Sequence, residues 1–309
     1  MNDTTYLTDV PGITVGHAHD EQGMTGCTVV LAEQGAVGGV DVRGSAPGTR
    51  EIEALKPVRL VSHIHAILLT GGSAFGLRAT EGIQRYLEEK GIGFPTSAGN
   101  VPVVPTAVIY DLAVGDAKSR PDAQMAYRAA QEASSAERRE GRVGVGFGAT
   151  VGKILGYAGC MAGGVGCASL RLGTGAVVGA LVVVNALGDV MDPTTGRIIA
   201  GARDEKGSFV NTARLLIENA SPVYSPYENT TLAVVATTAR LNKEGVTKVA
   251  QMAQDGVARA IDPAHTMYDG DVSFALSVGT DSADVNAVGV AAADLVAECI
   301  VRAVRASGA

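Results

Sequence analysis

Pro226-Tyr227-Glu228-Asn229-Thr230-Thr231-Leu232-Ala233-Val234-Val235-Ala236 joins a turn-forming polar stretch directly to an apolar strand, and the join falls at Asn229-Thr230. Inside a chain a Thr hydroxyl is a poor nucleophile. At a chain N-terminus it carries its own base, because a free α-amine with a pKa of roughly 7.7–8.0 accepts the hydroxyl proton near neutral pH. A cut between Asn229 and Thr230 would turn a silent residue into a catalytic centre, and the segment is read as a self-cleavage site. Asn-Thr is a common dipeptide, so the reading rests on its surroundings.

Downstream the pattern is regular. Residues 231–238 read as a strand, 242–261 as a helix with Val246, Ala250, Ala253 and Val257 on one face, 272–278 as a strand and 284–305 as a second helix. Two strands and two helices in this order fit a layered α/β sandwich. Upstream, residues 201–228 are polar, carry Pro222 and Pro226, and read as an exposed connection where a nick does little harm. Before that, residues 144–186 are rich in Gly, Ala and Val, and 177–184 is an apolar run suited to a strand buried on both faces. Residues 28–33 and 39–42 read as two strands broken by Gly35 and Gly38, and 66–70 as a short strand ending in Gly71-Gly72-Ser73. Helices are expected over 77–90, with Gly91 as the stop, and over 121–140, with Gly141 closing it. No repeat or second domain is marked, so residues 1–309 are taken as one catalytic domain.

The 309 residues are 46% hydrophobic, enough for a sizeable core, and 40 of them are Gly while Trp is absent. Close backbone packing must therefore replace bulky anchors. A net charge of −7 offers no basic field for nucleic acid or an anionic membrane, and points to a small molecule or peptide. Cys27, Cys160, Cys167 and Cys299 form no CxxC pair and read as buried free thiols. Neither a basic leader at the N-terminus nor an uncharged run of membrane-spanning length is present, so the cytoplasm is expected.

Several motifs fail on inspection. Gly148-Ala149-Thr150-Val151-Gly152-Lys153-Ile154 is one residue short of a phosphate loop and has Ile where Ser or Thr would hold magnesium; the glycines at 144, 146, 148, 164 and 166 complete no dinucleotide fingerprint. Thr70-Gly71-Gly72-Ser73-Ala74-Phe75-Gly76 has the strand, turn, Ser, helix order of a nucleophile elbow, but Phe75 stands where Gly is needed. It is open to three readings: an elbow served by His265, a glycine turn that starts a helix, or a lining of the active site. The pairs His17/His19 and His63/His65 lack companion carboxylates, so no metal is expected. His265-Thr266-Met267-Tyr268-Asp269-Gly270-Asp271 is locally a turn, yet it puts two carboxylates at the mouth of a strand where they could orient the Thr230 hydroxyl and amine. Lys153 and Asn185 are candidate charge and amide donors at the end of the glycine-rich core.

Together these residues resemble the P1-type peptidases, which include the L-aminopeptidase/D-esterases, the β-aminopeptidases and the nylon-oligomer hydrolases. The resemblance spans nearly the whole chain. It runs through Asp9 to His17, Thr25 to Val30, Leu69 to Leu77, Tyr110-Asp111-Leu112, Gly148 to Lys153, Asn185 to Val190, Asn229-Thr230-Thr231 and His265 to Asp271. It implies an αββα sandwich and a precursor that cuts itself between Asn229 and Thr230, giving chains 1–229 and 230–309 that stay together. Thr230 would be the nucleophile, Asp269 and Asp271 its partners, Lys153 and Asn185 polar residues of the site, and Asn185 the oxyanion donor. Tyr110, Gly72 and Ser73 would lie near the substrate. No cofactor is implied, and a homo-oligomer, a tetramer, is.

Within the family the β-aminopeptidases use Ser as nucleophile and a Ser/Glu pair where Asp269 and Asp271 stand. Thr with two Asp is more similar to the nylon-oligomer hydrolases. The expected reaction is hydrolysis of a small peptide, amino-acid amide or amide oligomer through an acyl-enzyme. Two alternatives remain at this stage: acyl transfer to an amine, as in the ornithine acetyltransferases, and a binding protein that kept the fold without turnover.

Overall fold

The computed structural model describes residues 5–219 and 228–309; the remainder, including Pro222 and Pro226 of the expected connection, lies outside the described residues. One strand, β2 (Thr25–Val42), serves both halves of a nine-stranded sheet. Two strands were expected here. The chain instead runs on as 18 continuous residues, with a register shift between Leu31 and Ala36 where Gly35 takes φ +89°. Glycine reaches that left-handed value without a Cβ clash, so it bends the strand rather than ending it.

Before the bend, β2 pairs antiparallel with β1 (Thr14–Asp20) and β3 (Ile64–Thr70), and β3 lies parallel to β4 (Thr106–Val108). The other half of the sheet contains β5 (Gly164–Arg171), β6 (Val177–Asn185), β7 (Thr230–Ala239) and β8 (Val272–Asp281), in that spatial order. Past its bend β2 joins β8 antiparallel, while β7 and β8 are parallel.

Side-chain alternation sets the layers. Along β7, Leu232, Val234 and Ala236 join Phe274, Leu181, Ile67 and Leu69 in a core between the sheet halves. Ala233, Val235 and Ala239 face the other way, against α4 (Lys243–Ala260) and α5 (Val285–Ala306). On the far side, Val29, Leu31, Ala66 and Leu68 meet Ile83 and Leu87 of α1 (Thr80–Glu89) and Met125, Ala126 and Ala129 of α2 (Ala123–Gln131). Four layers result, helix, sheet, sheet, helix, as expected. Both faces of β6 and β7 are covered, which is why they read as unbroken apolar runs.

The last two helices lie where their sequence places them, each started by a side chain: Asn242 accepts from the Gly245 amide and Asp284 from the Asn286 amide. The helix expected over 121–140 stops at Gln131. Ser134 there exchanges two backbone hydrogen bonds with Val15, and Glu140 turns inward to accept from the Cys167 amide and Arg302. Tertiary pairing overrides helical propensity. The helix expected over 77–90 begins as a 3₁₀ segment, Ser73–Ala79, before α1.

Nor is the connection simply exposed in its described part. Buried Asp189 accepts from the amides of Ala202 and Thr212 and from the Thr212 hydroxyl, and so draws in α3 (Thr212–Asn219). His17 bonds Thr28 and His19 stacks on Phe147. Cys27, Cys167 and Cys299 are buried, whereas Cys160 is only partly so. Among the described residues no helix is long and apolar enough to cross a membrane.

Candidate active site

Three neighbouring strands bring their ends together at one point. Asn185, the last residue of β6, is the register partner of Thr230, the first of β7; Asp269 and Asp271 come immediately before β8, which runs parallel beside β7. Lys153 reaches the same point from the short strand Thr150–Val151. All five side chains are at least 95% buried, which is rare for Lys and Asp without partners.

The peptide between Asn229 and Thr230 is held by its carbonyl. The Gly270 amide donates to Asn229 O at 2.8 Å, and the Thr230 hydroxyl donates to the same oxygen at 2.5 Å. Only glycine fits at 270, because a Cβ there would lie 2.6 Å from Ala46 O and 2.8 Å from Thr230 Oγ1. Asn229 is further fixed by Nδ2 donating to Tyr268 O.

Lys153 Nζ donates to Thr150 O, Asn185 O and Asn185 Oδ1 at 2.9–3.0 Å. These oxygens can only accept, so the geometry suits the ammonium. Burial works against it and lowers the pKa from 10.5 to about 7, with nearby Cys160, Asp269 and Glu228 pulling it back up. The amide flank of Asn185 is thereby set: Oδ1 takes the Lys153 ammonium and the Thr150 amide, leaving Nδ2 to donate to Tyr110 O at 3.1 Å and Glu228 O at 3.2 Å. Nδ2 thus holds Glu228, the residue before the Asn229-Thr230 pair, while the Gly270 amide serves the Asn229 carbonyl. Glu228 is also tied to the Tyr157 hydroxyl at 2.7 Å.

The two carboxylates have different duties. Asp269 accepts from Leu187 N and from the amide and hydroxyl of Thr266; burial, and then the charge of Asp271, raise its pKa to about 6. Asp271 uses Oδ1 to accept from the Thr231 amide at 2.6 Å and Oδ2 to accept from His265 Nδ1 at 2.8 Å and His265 N at 3.1 Å.

Gly72 and Ser73 meet the segment that flanks Tyr110. The Gly72 amide donates to Asp111 Oδ1 at 2.7 Å and that of Ser73 to Ile109 O at 2.9 Å, with φ +80° and +52°. These are the contacts of a turn that starts a helix. The imidazole an elbow at Ser73 would need, His265, is bonded to Asp271 instead. Tyr110 reaches the cluster through its backbone carbonyl. The Gly270 amide, Glu228 with Tyr157, Thr150, Thr266 and the His265 to Asp271 pair were not legible as site members. His265, Thr266 and Gly270 share a heptapeptide with the acids, and Thr150 lies in the stretch that leads to Lys153, which is the sequence signal they left.

Residues 5–309 match the model of peptidase family S58. An uncharacterized aminopeptidase of Mycobacterium leprae is 43% identical over 97% of this chain and 90% of its own length. A 6-aminohexanoate-oligomer endohydrolase of Kocuria sp. is 32% identical over 91% of this chain and 76% of its own. Among solved structures, the L-aminopeptidase D-Ala-esterase/amidase of Ochrobactrum anthropi superposes with a TM-score of 0.75 at 18% identity, covering 99% of this chain and 88% of that one. A β-aminopeptidase of Burkholderia sp. gives 0.72 at 24%, with 98% and 87% covered. At such identities these two establish the fold, a variant of the Ntn hydrolase fold. With its whole described length matched, the chain belongs to peptidase family S58 and is a hydrolase of peptide or linear amide bonds.

Proposed function

We propose that this hydrolase is made as a precursor, cuts itself between Asn229 and Thr230, and then uses Thr230 as an N-terminal nucleophile on small peptides, amino-acid amides or amide oligomers. One observation carries the reading: the Thr230 hydroxyl and the Gly270 amide converge on the carbonyl oxygen of Asn229. An attacking group and an oxyanion donor around one peptide bond are the two requirements of acyl transfer.

In the precursor Thr230 Oγ1 attacks the Asn229 carbonyl carbon, and negative charge develops on the oxygen that Gly270 N–H already holds. The C–N bond breaks, the Thr230 nitrogen takes a proton, and the Asn229 acyl group is left as an ester on Oγ1. Water hydrolyses this ester to give the Asn229 carboxylate and a free Thr230 hydroxyl and amine. The tail that ends at Asn229 no longer shares a bond with β7, so Asn185 Nδ2 becomes available to a substrate oxyanion. The Thr230 amine then takes the hydroxyl proton as Oγ1 attacks the substrate amide, and water hydrolyses the acyl-enzyme. Asp271 steadies the N-terminal strand through Thr231, and Lys153 keeps the Asn185 amide turned the right way. Chains 1–229 and 230–309 stay together because β7 lies inside the sheet, paired with β6 on one side and β8 on the other.

The relatives named as an aminopeptidase and a 6-aminohexanoate-oligomer endohydrolase support the choice of amino-acyl amides as substrates here. Brief reaction with an aminoacyl p-nitroanilide, followed by acid quench and mass analysis, tests the mechanism. One acyl group on residues 230–309, absent in Thr230→Ala, is the expected result; no acyl group on that fragment during turnover would reject it. Added amine acceptors collecting the acyl group in place of water would move the reading to acyl transfer.

A further inference from the structure

Both ring nitrogens of His265 meet oxygen partners: Nδ1 lies 2.8 Å from Asp271 Oδ2 and Nε2 lies 3.4 Å from the Gln254 carbonyl of α4. A carbonyl offers no proton, and a carboxylate offers none while ionised. A ring that satisfies both must donate from both nitrogens, which is the imidazolium. The backbone reinforces this contact, since His265 N also donates to Asp271 Oδ2 at 3.1 Å. His265 holds φ +57°, a left-handed value uncommon for a side chain with a Cβ, and the amide and ring of this residue close on one carboxylate oxygen.

The other oxygen of that carboxylate, Asp271 Oδ1, accepts from the Thr231 amide at 2.6 Å, one residue from the nucleophile. A single line of contacts therefore runs from α4 through His265 and Asp271 to the start of β7. His265 is only 17% exposed and Asp271 2%, so water competes little with either contact.

We propose that His265 is a positioning residue of this hydrolase: as an imidazolium it holds the Asp271 carboxylate fixed against Thr231 at the start of the nucleophile strand. The role rests on the N-terminal-threonine reading above. It acts through Asp271 and never touches the substrate. The charged groups facing the ring are few. Asp271 lies on its own loop, with Asp269 two residues away, and Arg43 approaches from the end of β2, where it is shared among Asp41, Asp255 and the Gln251 carbonyl. Burial and Arg43 favour the neutral ring, but the hydrogen bond and charge of Asp271 outweigh them, and the net shift is upward from 6.5. The clamp therefore loosens as pH rises through the raised pKa of the ring.

The test uses the mature two-chain enzyme and alanine or β-alanine p-nitroanilide. His265→Ala is expected to lower kcat at neutral pH by roughly 10- to 100-fold, the range for removing a side chain that orients a working group, with little change in KM. His265→Asn, whose Nδ2 can stand in for Nδ1–H, is expected to recover most of kcat. It should also lack the part of the alkaline fall in kcat that wild type owes to the ring. If His265→Ala changes the melting temperature but leaves kcat and its pH profile as in wild type, the proposal is overturned. A second measurement survives a failure of either variant to fold. In ¹⁵N-histidine spectra of wild type at pH 7, one ring should carry protons on both nitrogens. His17 is not a rival, because burial pulls it down to about 4, and His19, His63 and His65 are assigned by single substitution. A neutral His265 at pH 7 overturns the proposal. If Thr230→Ala still turns over, the underlying reading fails whatever His265 does.

Discussion

The backbone amide of Gly270 donates to the carbonyl oxygen of Asn229 at 2.8 Å. A hydrogen bond from an amide to a carbonyl is ordinary; its place is not. The acceptor belongs to the Asn229-Thr230 peptide, the proposed point of cleavage, the donor lies between two buried aspartates, and the Thr230 hydroxyl shares the same oxygen. Charge developing on that oxygen during self-cleavage would meet a donor already in position, with no reorganisation needed.

Gly270→Ala is therefore expected to stop maturation. Its Cβ would fall 2.8 Å from Thr230 Oγ1 and 2.6 Å from the Ala46 carbonyl, closer than real Cβ contacts. The backbone there must shift, and the hydroxyl with it. Gel analysis should show one band at full length while circular dichroism still reports the mixed α/β content; normal two-band processing would mean the glycine is dispensable.

Asn185→Asp separates the two sides of that amide. An aspartate can still accept from the Thr150 amide and Lys153, but cannot donate to Glu228, Tyr110 or an oxyanion. Turnover of the mature enzyme should fall by about 10²–10³ in kcat, the usual loss for one oxyanion donor. Steady-state kinetics beside a thermal melt would check this, and a variant with near-normal kcat would remove Asn185 from that role.

The intact chain should mature within a narrow pH window. Asp269, raised to about 6, is neutral below that pH and a carboxylate above it; Lys153, lowered to about 7, is an ammonium below that pH and neutral above it. The contacts of both suit their charged forms: three donors on Asp269 and three acceptors around Lys153. Cleavage should thus be fastest between about 6 and 7, slowing in acid as Asp269 gains a proton and in base as Lys153 loses one. Precursor made by cell-free synthesis and shifted to a series of pH values gives the rates. Asp269→Asn should flatten the acid side and Lys153→Met the alkaline side; a profile flat from pH 5 to 9 would contradict the assignment.

Much of this molecule was legible in its sequence, for identifiable reasons. Strands β6 and β7 are apolar on both faces because both faces are covered, so their runs are unbroken and easy to read. The helices after Asn242 and Asp284 begin at side-chain caps, the strongest local signal a helix start has. Reading failed where long-range pairing decides local structure. Ser134 leaves a helical pattern to pair with Val15, and β2 continues through Gly35 because each half has its own neighbours. The same limit applies to the site. The side chains proposed to carry chemistry, Thr230, Asn185, Lys153, Asp269 and Asp271, stand out by type and place. Gly270 acts through its backbone, and Glu228 and Tyr157 act through each other across 71 positions, which nothing local announces.

The most direct test of the central claim is the intact mass of the purified protein under denaturing conditions, measured beside Thr230→Ala. The account expects wild type to give two fragments that meet between Asn229 and Thr230, and the variant to stay whole and inactive. A wild-type chain that hydrolyses amides while still in one piece, or a Thr230→Ala chain that cuts itself, would contradict it.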